Sequence, residues 1–472
     1  MLFSTLKFFL IALEVLAIFN VLIFVHELGH FLAGKWRGLY IEEFALWFGK
    51  PLWRRRFGGI WYAINSIPAG GYVKLPQMAP MEALEGGSEL PPEALKPVSP
   101  FDKIIVAFAG PLFSFLLAFA MAGMVWVLGK PESDFDSTTI GFVKPGGPAA
   151  MAGLKPGDEI LEVDGKKVTH FVSGTNSVKW DIIRSEGDTI AFKVKRDGEI
   201  KTIESGWTKP ESPGWRRPSL REVQIGPRIV PGVGIVVKKS PADLAGIKPG
   251  DLIVSVNGTP IFNLDEMDPF VRDNRGSSLN VVVERTGQQV PLALAIPSAK
   301  PGEEKKPVDL GIDWGRIRLV HPGPWQQVND AATTIFRMVG ALASSKSDVK
   351  AAHFSGPVGI MRLYYQVFEA EYGWRLALAL SVLINVNLAL LNLLPFPVLD
   401  GGHIMLALVE SVRRKPVSVR VLEVVQTACA VVIIGFMLYV TFFDVGDLFG
   451  RKEPKGEAQE EEVHAPPAAG GK

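Results

Sequence analysis

Cysteine is nearly absent: Cys429 is the single one in 472 residues. An intrachain disulfide is excluded, and cysteine usage carries no information on redox compartment. Excess charge of either sign is missing as well, since 50 Lys and Arg against 49 Asp and Glu leave +1. That removes the broad basic footprint of a nucleic-acid-binding chain, and no nucleic-acid partner is expected. Also lacking is a small-residue cleavage site after the apolar stretch 8–24. The stretch is too long for a typical signal core and reads as a retained span.

What is present is segregated. Charge is sparse in 8–34, 104–129, 376–399 and 421–443, and dense between them. A membrane-crossing helix needs ~20 mostly apolar residues. Four spans are expected, at about 6–33, 104–128, 374–394 and 421–443. The alternative is a set of buried helices in a soluble enzyme, a poor match to four apolar runs flanked by charge. Lys35, Arg37, Lys50 and Arg54 to Arg56 follow the first span, and Arg413, Arg414, Lys415 and Arg420 lie between the last two. Basic residues in short loops mark the cytoplasmic side. The long region from 130 to about 372 and both termini then face outward. The tail after Arg451 is acidic and rich in Pro, Ala and Gly, a composition of disorder.

The outward region repeats itself. Residues 148–158, PAAMAGLKPGD, recur at 241–251 as PADLAGIKPGD. The match continues through Ile160 and Ile253, Asp164 and Asn257, and Gly165 and Gly258. Each copy predicts a short helix, a Pro-Gly turn, a strand and an Asp-Gly or Asn-Gly hairpin. Two copies are too few for a solenoid and point to paired modules. The pattern resembles tandem PDZ domains of bacterial membrane proteases, over 132–218 and 222–316. Such domains accept a peptide as an added strand. By that resemblance the accepting edges are Gly141 and Phe142 in one copy and Gly234 and Ile235 in the other. The alternative is that the pockets are blocked and the pair acts as a steric screen.

The chemistry-bearing stretch is His26-Glu27-Leu28-Gly29-His30. Histidines four apart share a helix face, so both imidazoles can hold one Zn²⁺. Glu27 lies between them, where it can take a proton from a water that zinc has acidified. Three ionisable groups in one turn at the end of an apolar span are costly unless they are used. The plainer alternative is a pair of interfacial histidines capping the helix. Asn20, seven positions before Glu27, either hydrogen-bonds in the site or pairs with another helix. Glu14 lies on another face and receives no role.

Catalytic zinc usually takes three protein ligands and keeps an open position. The candidate source of the third is the block Asn392-Leu-Leu-Pro395-Phe-Pro397-Val-Leu-Asp400-Gly-Gly-His403. Its prolines cannot continue a regular helix, and unwound backbone at membrane depth must be buried or line a wet cavity. Asp400 and His403 are both placed at a polar site by this reasoning. Charge favours Asp400, because a carboxylate offsets part of the zinc charge in a low-dielectric setting. His403 is then expected to start the following helix or to support the site through another residue.

HExxH in the first span with NxxPxPxLDGGH in the third resembles the site-2 protease family of intramembrane zinc metalloproteases. Tandem PDZ domains and four spans are similar to its bacterial branch, which regulates sigma-E. Further matching stretches are 63–74 (AINSIPAGGYVK), 109–111 (AGP) and 355–360 (SGPVGI). The resemblance implies His26, His30 and Asp400 as zinc ligands, Glu27 as general base, and Asn392 on the substrate backbone or the oxyanion. The stretch 56–73, with alternating apolar residues and a Gly-Gly break, resembles the family's membrane-associated β-hairpin, whose Gly70, Gly71 and Tyr72 could hold an unwound substrate by strand addition; the alternative is an ordinary cytoplasmic hairpin. Ser114 departs from the family, where Asn is common, and that leaves one hydrogen bond open.

The expected fold is therefore an α-helical polytopic membrane protein with four transmembrane helices, a membrane-associated β-hairpin and two inserted PDZ domains of β-rich α+β type. Its parts are 1–131 (first two spans, HExxH and hairpin), 132–218 and 222–316 (PDZ), 317–373 (amphipathic linker helices), 374–449 (last two spans) and 450–472 (tail). The resemblance implies site-2 cleavage of single-span proteins, an anti-sigma factor or a remnant signal peptide, in the lipid bilayer of the inner membrane. The rival expectation is a PDZ-bearing membrane adaptor with a structural metal site. An intact Glu27 argues against it, since a structural site needs no base.

Overall fold

The computed structural model describes the chain except residues 1, 79–94, 134–136, 173, 213–215, 229–230, 263, 299–307, 315–316, 371, 415–418, 450–462 and 465–472. Most of the tail to which disorder was assigned thus lies outside the described residues. The chain divides into two compact units. One comprises Met1–Lys130, Val320–Phe336 and Phe354–Gly450, the other Pro131–Leu319, Arg337–His353 and Arg451–Lys472.

The first unit is built on helices α1 (Leu2–Arg37), α2 (Pro100–Leu128), α3 (Pro324–Ala343), α4 (Pro357–Glu369), α5 (Gly373–Asn392), α6 (Asp400–Arg413) and α7 (Val419–Phe449). Four of them, α1, α2, α5 and α7, are long and apolar enough to cross a membrane. Helix α2 starts sharply: the Ser99 hydroxyl accepts the Asp102 N–H, and Pro100 occupies the first helical position. Helix α5 stops at Asn392 and α6 starts at Asp400, so the chain between them is not helical. Pro395 and Pro397 account for the break. Helices α3 and α4 are amphipathic, and α3 ends in the other unit. Helices α1 and α2 pack with backbones in close approach. A Cβ on Gly29 would collide with the carbonyl of Ala109, so only glycine fits at this crossing.

Between α1 and α2 lie two long strands, β1 (Glu43–Phe57) and β2 (Ile60–Lys74). The expected hairpin at 56–73 is therefore only part of a larger sheet. Both strands bend, and 43–46 pairs on one side with 71–74 and on the other with 61–64. Residues 53–56 pair with 61–64 in turn. The result is four rows in the order 71–74, 43–46, 61–64 and 53–56, in which the two outer pairs run antiparallel and the registers of 43–46 and 61–64 rise together. Trp47, with φ of 70°, sits at the bend of β1, and Gly70, with φ of 78°, at the bend of β2. Asn20 anchors this sheet to α1: its side-chain oxygen accepts the Trp47 indole N–H at 2.6 Å. Its partner is thus a strand residue and not another helix.

In the second unit the repeat is structural as well as sequential. Strands Glu159–Val163, Ile190–Arg196 and Glu199–Ser205 form one antiparallel sheet, and Leu252–Val256, Ser278–Arg285 and Gln288–Ala295 form its counterpart. The two hairpin turns put Asp164 and Gly165, and Asn257 and Gly258, all at positive φ, as the paired Asp-Gly and Asn-Gly predict. Each Pro-Gly-Asp turn is closed the same way. Buried Asp158 takes a two-pronged bond from Arg196 at 2.6 and 2.7 Å, and buried Asp251 one from Arg285 at 2.7 Å on both oxygens. Burial opposes ionisation of Asp251. Arg285 and the Lys248 N–H more than offset it and hold that carboxyl below its usual range.

Strand Ile225–Pro227 falls within the range expected for the second module, yet it pairs with Ile140–Val143 of the first. Val223 joins the first module's core with Ile140, Ile160 and Phe192. Residues 223–227 thus help to cover the core of the first module.

Candidate metal centre

Helix α1 aims His26 and His30 from successive turns toward the start of α6. The nearest nitrogens, both Nε2, are 3.3 Å apart. Asp400 meets both: Oδ2 lies 3.2 Å from His26 Nε2 and Oδ1 lies 3.3 Å from His30 Nε2. Among the described residues these three form a group whose ligand atoms all lie within 4.8 Å of one another. Two imidazoles and one carboxylate are a donor set suited to catalytic zinc. His403, one turn after Asp400, lines the same cavity but is not in the group. Asp400, rather than His403, is the first residue of α6.

The other ring nitrogens are committed elsewhere. His30 Nδ1–H donates to the Val106 carbonyl at 2.8 Å, and His26 Nδ1 lies 2.9 Å from Ser114 Oγ. Both partners belong to α2. Such partners fix the tautomer that leaves Nε2 free to bind metal. Gly110 of α2 packs directly under the two imidazoles, and a Cβ there would collide with His30 Nε2. The stretch 109–111 thus shapes the floor of the site, a role its sequence alone did not reveal. Ser114 is 0% exposed and takes the hydrogen bond that the departure from Asn had left open. Ser114→Ala is expected to weaken zinc binding roughly 10- to 100-fold in a chelator competition, whereas Ser114→Thr, which keeps the hydroxyl, restores most of it. Unchanged affinity in the alanine variant would remove Ser114 from the site.

A cavity of about 330 Å³ opens beside the group and is lined by Glu27, Asn392, Gly70, Gly71 and Tyr72 among others. Edge row 71–74 runs along this cavity. A Cβ on Gly71 would lie 3.2 Å from Glu27 Cγ. Tyr72 is held by its hydroxyl on Glu43 Oε1 at 3.0 Å, and Arg54 braces the other oxygen of Glu43 at 2.6 Å. The structure therefore brings His26, Glu27, His30, Asn392, Asp400, Gly70, Gly71 and Tyr72 to one cavity.

The remaining expected substrate contacts lie in the other unit. Gly141 and Phe142 belong to a strand with one side already paired to 225–227, and a Cβ on Gly141 would meet the Pro227 carbonyl. Gly234 and Ile235 lie in strand Val233–Val236, one side of which pairs with Ile312–Trp314. Any peptide added to either strand is restricted to its other side.

The model of peptidase family M50 matches residues 14–436. The chain is 32% identical over 448 residues to the regulator of sigma-E protease RseP of Escherichia coli K12, covering 91% of this chain and 97% of that one. It is 30% identical over 463 residues to a candidate zinc metalloprotease of Neisseria meningitidis serogroup A, covering 92% and 98%. The regulator of sigma E protease of Haemophilus influenzae is 27% identical over 444 residues, covering 90% and 96%.

Proposed function

This chain belongs to peptidase family M50 and is a zinc metalloprotease, and from that premise we propose that it cuts single-span membrane proteins within the bilayer. One observation carries the reading. The His26, His30 and Asp400 cluster lies in a cavity framed by helices α1, α2 and α5, each apolar and long enough to cross a membrane. His26, His30 and Asp400 hold zinc, which when bound supplies Lewis-acid polarisation and acidifies a water. Glu27 takes the proton of the attacking water and passes it to the leaving nitrogen. Asn392 lies across the cavity and donates a hydrogen bond to the developing oxyanion or to the substrate backbone.

A peptide bond in a helix is shielded by its own hydrogen bonds, so the substrate must unwind. Edge row 71–74, which runs beside Glu27, is the strand to which an extended segment adds as a fifth row. Gly70 and Gly71 keep this approach free of side chains.

The two repeats are PDZ-like modules that select substrates and take no part in the chemistry. All the proposed ligands and the base lie outside them. Substrates of the kind implied are membrane proteins already trimmed on the outer face, such as an anti-sigma factor, or remnant signal peptides, in the inner membrane. The test pairs one substrate in trimmed and untrimmed forms with the full chain and with a variant lacking 132–316. The full chain is expected to cut only the trimmed form, and the deletion variant both. A zinc-loaded deletion variant that still rejects the untrimmed form refutes the screening role, and failure of the full chain on any single span refutes the intramembrane reading.

A further inference from the structure

Helix α7 carries a carboxylate that the proposed chemistry does not use. Asp444 is 1% exposed near the end of an apolar helix, where an uncompensated charge is costly. Its compensation is the start of α4. Oδ2 accepts the backbone N–H groups of Gly356 and Gly359, each at 2.9 Å.

The sequence of α4 makes this contact necessary. The first N–H groups of a helix have no partner within it, and a side chain just before the helix normally supplies one. Here that position is Gly356, which has no side chain to offer, and Pro357 follows at the first turn. Asp444 supplies the missing acceptor from another helix, and its negative charge suits the positive end of α4. Close approach needs both glycines: a Cβ on Gly359 would lie 2.5 Å from Asp444 Oδ1, and one on Gly356 would lie 3.0 Å from Oδ2. The SGPVGI stretch is thereby explained as a seat for one carboxylate.

The far face of α4 grips two other helices. Tyr364 is fully buried, its hydroxyl 2.8 Å from Ser381 Oγ on α5, and it packs with Ile11 and Val15 of α1 and Ala377 of α5. Helices α1 and α5 carry the HExxH motif and Asn392 in their other halves. The described residues of α7 are buried mainly around Val440, Phe443 and Asp444, while Val431, Val432 and Ile434 are exposed. Contact with α4 is therefore a principal attachment of the last span.

We propose that Asp444 is a positioning residue for proteolysis. Its carboxylate clamps the start of α4 to α7, and α4 in turn sets the spacing of α1 and α5 around the substrate. The inference rests on the proteolytic reading for its consequence, though the clamp itself can be tested without it. The metal cluster is braced by Ser114, Val106 and Gly110 of α2, so breaking the clamp leaves zinc in place.

The experiment compares Asp444→Asn and Gly359→Ala in the full-length protein. Losing the charge is expected to speed hydrogen exchange of the Gly356 and Gly359 amides about tenfold or more, since bonds to an ionised acceptor are the stronger ones. Zinc content should stay at one per chain. Cleavage of a single-span substrate should lose about tenfold in kcat/KM through a higher KM, with kcat little changed. Gly359→Ala should reproduce these effects with Asp444 intact, and the double variant should be no worse than either single one. Unchanged exchange in Asp444→Asn, additive losses in the double variant, or a loss of zinc with unchanged KM would each overturn the clamp. If Asp444→Asn does not fold, Gly359→Ala alone decides by the same exchange and KM readouts. Faster exchange with no activity in wild-type protein would keep the clamp and fault the proteolytic reading instead.

Discussion

Glu27→Gln is expected to keep its zinc and lose cleavage on the order of 10²–10⁴-fold, the usual contribution of a positioned general base. The amide keeps the shape of the side chain but cannot take up the proton of the attacking water. Glu27 is not among the residues whose ligand atoms converge, so its removal leaves the metal donors intact. Metal analysis and a cleavage assay on one preparation decide the matter. Near-normal turnover in the zinc-loaded variant would remove Glu27 from the mechanism. Loss of zinc would make it a ligand instead, and would reopen the alternative of a structural metal site on a membrane adaptor.

Asp400→Ala should abolish both zinc binding and cleavage, whereas His403→Ala should keep zinc and lose less activity. Asp400 meets the two imidazoles, 3.2 Å from one and 3.3 Å from the other, and in the proposed centre its carboxylate would be both the third donor and the charge partner of the ion. Removing a supporting partner already costs roughly 10- to 100-fold in metal affinity, and removing a donor from a three-donor set should cost at least the upper end of that range. His403 instead lines the cavity without joining the converging group. X-ray absorption at the zinc edge counts nitrogen and oxygen neighbours independently. Zinc lost from the His403 variant and retained in the Asp400 variant would reverse the assignment.

The two variants probe features that differ in how they can be read. His26, Glu27 and His30 are legible because a helix brings positions four apart to one face, whatever the rest of the chain does. The break before Asp400 is legible because two prolines cannot continue a helix. The choice between Asp400 and His403 is harder, since both follow the same break and lie on one turn. Chain direction after the prolines separates them: α6 begins with Asp400, whose carboxylate lies 3.2 and 3.3 Å from the two imidazoles.

The sheet shows the opposite case. Alternation and a Gly-Gly break suggested a single hairpin at 56–73. The pairing in fact runs from Glu43 to Lys74 and folds each strand on itself. Register between bent strands depends on contacts tens of residues apart, and no local pattern encodes it. The same reason hid the role of Ile225–Pro227, whose own strand signal is short and whose partner lies more than 80 positions earlier, at Ile140–Val143.

By itself the sequence determined the four apolar spans, the two histidines with their glutamate, the broken helix that supplies a carboxylate, and the duplicated module. Each of these follows from helix or strand periodicity, or from the backbone limits of proline and glycine, over a few neighbouring residues. Only the tertiary structure decided that Ser114 and Val106 fix the histidine rings, that Gly110 leaves room for them, that edge row 71–74 runs beside Glu27, and that Asp444 seats the start of α4. In these cases a buried polar group must find its partner wherever the packed chain places one. The sequence states the need of each group, and the fold alone supplies the answer.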